Sequence, residues 1–298
     1  MSRTVRDYLV GAAIVIAVLA LSFALIRFTN GLVEPGVGEV GDAGAPREQA
    51  VEVAPAALAA GVRAAGPIPE AAALSDEVTA AELTGRFEPA GHPDFVRLDD
   101  RYTDGDGDYL LRREAAAALA RMVDAARADG VELRVRSATR NHRRQSEIWG
   151  AKWRGERTLS NGVNLAEAGL SDSAAARMIL LYSSMPGTSR HHWGTDVDFN
   201  AFENDYFAAG RGAAEYAWLR AHAADYGFGQ PYTDKTGGRT GYEEERWHWS
   251  YAPLAVPYLR AYRERVGYGD IAGFAGAEVA PRVRAIEEYV LGVPAELQ

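Results

Sequence analysis

The chain contains six histidines, His92, His142, His191, His192, His222 and His248, and no cysteine. A metal here must be held by imidazole and carboxylate, and disulfide staples, iron–sulfur clusters and thiol nucleophiles are excluded. Two histidines lie in Ser189-Arg-His-His-Trp-Gly-Thr-Asp-Val-Asp198 and another in Glu245-Arg-Trp-His248. A catalytic zinc takes three protein ligands of this kind, keeps one position for water, and has a carboxylate nearby to accept that water's proton. His191, Asp198 and His248 supply such ligands, and Glu245 supplies such a base. Between His191 and Asp198 the chain can turn at Gly194 and enter a strand, while Glu245 and His248 are close enough in sequence to converge on one ion. On spacing alone a second reading stands beside this one, because a lone histidine is more often a satisfied structural residue than a ligand.

The elements that must position these groups can be read from periodicity. Val197 and Phe199 alternate with Asp196 and Asp198, which predicts a short strand with two carboxylates on one face. Trp247 to Tyr251 predicts a further strand, and Val131, Leu133 and Val135 alternating with charged residues predict one leading into Ser137. Arg112 to Asp129 carries a helical apolar stripe that Gly130 should end. Asn141 can cap a helix running to about Trp153, Glu215 to Tyr226 reads as a helix stopped by Gly227, and Pro257 to Val266 and Val283 to Leu291 read as C-terminal helices. Helices and strands this closely interleaved predict an α+β domain: a small, mostly antiparallel sheet flanked by helices. The run Asp104-Gly-Asp-Gly-Asp108 invites a calcium loop, but Tyr109 and Ala115 stand where such a loop needs Gly and Glu, so a solvated turn is expected.

At the metal residues the sequence resembles the VanY-type zinc D-alanyl-D-alanine carboxypeptidases, whose fold is shared with VanX dipeptidases, lysostaphin-type endopeptidases and the hedgehog signalling domain. The resemblance rests on Ser189-x-His191-x-x-Gly194-x-x-x-Asp198 followed by Glu245-x-x-His248. Ser137-Ala-Thr-Arg140 with Gln145 and Trp149, Tyr216-x-Trp218-Leu219, Tyr226-Gly-Phe228 and Trp247-His248-Trp249 add to it. It covers roughly residues 95 to 265. It implies Zn2+ on His191, Asp198 and His248, Glu245 as general base, and Arg140 as the cation that binds a substrate carbonyl or carboxylate oxygen. Ser137, Gln145 and Ser189 would line the site or orient ligands, or else serve as local turn and cap residues. His192, beside a ligand, would support it or be exposed. There are three departures from the family pattern: Asp196 replaces a common Ala, Arg246 a common Pro, and Ala138-Thr139 a Gly-Tyr. A second carboxylate at Asp196 would hold an arginine or a ligand histidine, or alter metal preference. The implied reaction is removal of the terminal D-alanine from peptidoglycan stem peptides. L,D-carboxypeptidase or endopeptidase action at the same centre, and a non-catalytic wall-binding module, are the alternatives.

The rest of the chain sets an address. Tyr8 to Ile26 has no formal charge and is apolar almost throughout, long enough as a helix to cross a bilayer. Arg27-Phe28-Thr29-Asn30 offers no small-residue cleavage site, and Arg3 and Arg6 precede the run, so an uncleaved anchor with an outward-facing domain is expected. The expected layout is a cytoplasmic stub and transmembrane helix over 1–29, an Ala/Gly/Pro-rich tether over 30–90, and a peptidase domain over 91–298, on the outer side of the cell membrane. A formal charge of −9 gives no basic footprint for nucleic acid.

Overall fold

The computed structural model describes residues 78–298. Helix α1 (Ala80–Leu83) precedes an antiparallel two-stranded ribbon, β1 (Phe95–Arg97) and β2 (Leu110–Arg112), which leads into the long helix α2 (Arg113–Ala128). Strand β3 (Val135–Ser137), helices α3 (His142–Trp153) and α4 (Asp172–Ile179), and strand β4 (Asp196–Phe199) follow. Then come α5 (Gly210–His222), β5 (Phe228–Gly229), β6 (His248–Tyr251), α6 (Ala252–Arg265) and α7 (Ala280–Val283). The second sheet runs β3-β4-β6-β5 with every neighbour antiparallel. The class is mixed α+β with small antiparallel sheets, as periodicity predicts.

Period two decides which face of this sheet does what. Val197, Phe199, Trp249 and Tyr251 point into a core shared with Ala115, Leu119, Met122 and Ala126 of α2. Burying side chains such as Val197 and Phe199 contributes about 1.5–3 kcal/mol each. Because that face is apolar, the alternating residues Asp196, Asp198, His248 and Ser250 must share the other one. The register pairs Asp196 with Ser250 and Asp198 with His248. Beneath α6 a second core gathers Trp149, Trp193, Leu259 and Tyr262 with the C-terminal segments.

Several boundaries differ from expectation. The strand foreseen from Val131 begins at Val135, and the last predicted helix is α7 followed by a π-helical segment, Ala285–Val290. Helix α6 starts five residues earlier than predicted because Pro253 sits in its first turn, where a missing N–H costs nothing, and Pro257 is carried inside it. The β1–β2 ribbon and α4 were not foreseen. Val78 and Leu83, within the stretch expected to be tether, are buried in the α6 core. The Asp104–Asp108 run is a turn: Asp104 accepts from Tyr109 Oη at 2.7 Å and from Arg136 at 3.2 Å, and Asp108 pairs with Arg97. The anchor expected at Tyr8–Ile26 and most of the tether lie outside the described residues, among which no helix is long and apolar enough to cross a membrane.

Candidate metal centre

The three predicted ligands come together on the polar face of the sheet. Asp198 and His248 face each other across β4 and β6, and His191 reaches them from a 3-10 turn, Arg190–Trp193. Gly194 makes the join possible. It lies at φ 74°, and a Cβ there would stand 2.4 Å from the Phe95 ring, so neither the conformation nor the space admits a side chain. One ligand atom from each of His191, Asp198 and His248 falls within 4.8 Å of the others, the one such group among the described residues.

Hydrogen bonds fix which atom each ligand presents. His191 Nδ1 must donate to the Ala138 carbonyl, at 2.8 Å, which leaves the Nε2 lone pair free. His248 Nε2 must donate to the Asp196 carboxylate, also at 2.8 Å, which leaves Nδ1 turned toward Asp198 Oδ1 at 3.4 Å and Glu245 Oε2 at 3.1 Å. His191 Nε2 and Asp198 Oδ1 are buried without a hydrogen-bond partner. Buried polar atoms left unpaired in this way are costly, and a cation bound between the three side chains would satisfy both, so the donor set fits a divalent metal. Histidine nitrogen with one carboxylate suits zinc.

The electrostatics follow from burial and neighbours. Burial works against the Asp198 charge, yet His191, His248 and Arg140 outweigh it and hold its carboxyl below the usual range. Glu245 shifts the other way, because burial raises its pKa more than His248 lowers it. A carboxylate raised in this way is the better proton acceptor near neutral pH. Burial lowers His191, with Arg140 acting in the same sense.

Asp196 resolves the first departure from the family pattern. Its Oδ2 accepts from Arg190 Nε at 3.1 Å as well as from His248, and its Oδ1 accepts from Thr195 Oγ1 and Ser250 Oγ at 2.6 and 2.8 Å. Arg190 Nη2 in turn donates to Ser250 Oγ at 2.6 Å. The second carboxylate therefore holds both Arg190 and the predicted ligand His248, and all its partners are buried. Arg246 turns away to pair with Glu244 at 3.1 Å.

The remaining site residues divide. Ser137 and Arg140 line a cleft of about 520 Å³ together with Asp198, Glu245 and Trp247. Arg140 is steered by Gln145, whose Oε1 accepts from its Nη1 at 3.3 Å, and approaches Asp198 at 3.6 Å. Gln145 is buried and Ser189 is buried at the start of the 3-10 turn; neither lines the cleft. His192 is neither exposed nor at the metal. It is buried, donates from Nδ1 to the Arg140 carbonyl at 2.6 Å and accepts the Gly187 N–H at Nε2, so it fixes the backbone of Arg140. Sequence reasoning missed Lys152, Tyr182 and Ser183 on the cleft wall; the i, i+4 stripe Arg144, Ile148, Lys152 on α3 was the available signal.

Residues 108–254 match the family model described as VanY, D-alanyl-D-alanine carboxypeptidase. The YodJ protein of Bacillus subtilis (strain 168), whose name carries the word carboxypeptidase, is 32% identical over 176 residues, covering 57% of this chain and 56% of that protein. A D-alanyl-D-alanine carboxypeptidase of Enterococcus faecalis (strain ATCC 700802 / V583) is 31% identical over 133 residues, 45% of each chain. The chain thus spans about half the length of the curated relatives it matches. Among solved structures, VanYB in complex with D-alanine-D-alanine is 26% identical over 54% of this chain and 81% of that one, with a TM-score of 0.40.

Proposed function

The chain belongs to the VanY family of D-alanyl-D-alanine carboxypeptidases through residues 108–254, and from that premise we propose that it is a zinc-dependent D,D-carboxypeptidase removing the terminal D-alanine of peptidoglycan stem peptides. The observation that carries the reading is the convergence of His191, Asp198 and His248 beside Glu245 in an open cleft. His191, Asp198 and His248 would hold a zinc ion there, which would supply Lewis acidity and lower the pKa of a water to about 7. Glu245 accepts the proton at its carboxylate and passes it to the leaving amine. Arg140, held by Gln145 and by the His192 bond to its own carbonyl, turns its guanidinium toward charge developing on the scissile carbonyl oxygen. Trp247 and Tyr182, with ring centroids 6.1 Å apart, form an apolar wall of the cleft. The apolar run Tyr8–Ile26 supports a membrane anchor that keeps the peptidase at the outer face, beside its substrate.

Mass spectrometry of a muropeptide digest tests the reaction. Loss of the fifth residue from pentapeptides, abolished by Glu245→Gln, is expected. Loss of the fourth residue instead, or opening of cross-links, would replace it with L,D-carboxypeptidase or endopeptidase action.

A further inference from the structure

The cleft continues past the metal ligands along α3, where Arg144, Ile148 and Lys152 form one stripe along its wall. Lys152 is one of only two lysines in the chain, and it is buried, with 7% of its surface exposed. Lysine side chains ordinarily carry the ammonium out to water. Here Nζ donates to Ser183 Oγ and joins no ion pair among the described residues. Nearby guanidinium groups do find partners: Arg143 and Arg144 pair with Glu147, and Arg154 pairs with Glu156. Arg157, on the same cleft wall as Lys152, joins no ion pair among the described residues. Burial, then Arg157 and Arg140, lower the Lys152 ammonium to about 8, with only Glu245 opposing. A buried cation, Lys152, and an exposed one, Arg157, thus line the same cleft, neither with a counter-ion among the described residues. Arg140 is drawn instead to the metal-site residues, 3.6 Å from Asp198 and bonded to Gln145.

We propose that Lys152 and Arg157 form an anion subsite that takes the free α-carboxylate of the residue leaving from the substrate. The subsite rests on the carboxypeptidase reading and deepens it. It restricts the cleft to peptides ending in an acid, and so selects removal of a terminal residue over cleavage within a chain. Ser183, Ser160 and Tyr182 place hydroxyl groups on the same wall to complete the carboxylate's hydrogen bonds.

The test is equilibrium binding by calorimetry to the full, zinc-loaded chain carrying Glu245→Gln, so that the probe is not cut. The probes are diacetyl-lysyl-D-alanyl-D-alanine and its C-terminal amide. The acid is expected to bind at least about tenfold more tightly, as a charge-assisted hydrogen bond to a carboxylate implies. Adding Lys152→Met should bring the two affinities together, Lys152→Arg should keep the preference, and Arg157→Gln should lower it several-fold. Equal affinities in the parent protein, or a preference that survives Lys152→Met, overturns the subsite and leaves the carboxypeptidase reading intact. If neither peptide binds, both readings are overturned. If Lys152→Met does not fold, the exposed Arg157→Gln decides: a reduced acid preference supports the subsite and an unchanged one overturns it.

Discussion

The proton on His248 is placed by Asp196. Because that carboxylate can only accept, the imidazole gives it Nε2–H, and Nδ1 is the nitrogen a bound metal would take. Carboxylates that hold ligand histidines in this way are worth about 10–100-fold in metal affinity. Asp196→Asn should therefore weaken zinc binding by that range in a chelator competition, and an unchanged dissociation constant would contradict the assignment. The convergence of His191, Asp198 and His248 was legible in the sequence because the chain has only six histidines and one turn and one strand fix the spacing of the first two. Lys152 was missed although it shares an i, i+4 stripe with Arg144 and Ile148, since such a stripe marks a helix face and does not tell a buried ammonium from one that reaches water. His192 stayed open between supporting a ligand and lying exposed for a related reason: adjacency to a ligand does not say which way a side chain points, and on the 3-10 turn it is buried and points toward Arg140.

At the level of elements, the site depends on the turn that carries His191 into β4. Gly194→Ala would force an L-residue to φ 74° and push a methyl against Phe95 and Arg112. We expect a loss of at least about 2 kcal/mol in denaturant unfolding, together with weaker metal binding. Full stability in this variant would show that the turn can relax. Strands β4 and β6 and helix α2 were readable because each has one apolar face at a clean period, and α3 because Asn141 caps it, through a 2.9 Å bond from the Arg144 N–H. Strand β1 and helix α4 were not. The first is three residues long and held mainly by its partner, and the second is short and has no side-chain bond at its N-cap. Tertiary packing decides such segments more than local pattern does.

Across the whole molecule, packing of the N-terminal part against the site shows in His142. Its backbone N–H donates to Gly85 O at 2.7 Å, and burial, reinforced by Arg86, lowers its imidazole from 6.5 to about 4. The unfolded chain takes up this proton near pH 6.5 while the folded one resists until about 4, so His142 makes stability fall as pH drops through that window. His142→Gln should flatten the pH dependence of unfolding there by about one proton, and an unaltered slope would contradict the assignment. The proposed anchor makes its own prediction: the full chain should sediment with membranes and a chain lacking residues 1–29 should not. Sedimentation of both would place the attachment elsewhere. The central claim is that three residues hold the metal and a fourth, Glu245, moves the proton. Metal content and turnover measured together on one set of variants test it. One zinc per chain is expected, lost in His191→Ala, Asp198→Ala and His248→Ala. Glu245→Gln should keep the zinc while release of D-alanine falls by about 10²–10⁴-fold. Zinc retained by the ligand variants, or undiminished turnover in Glu245→Gln, would contradict the account.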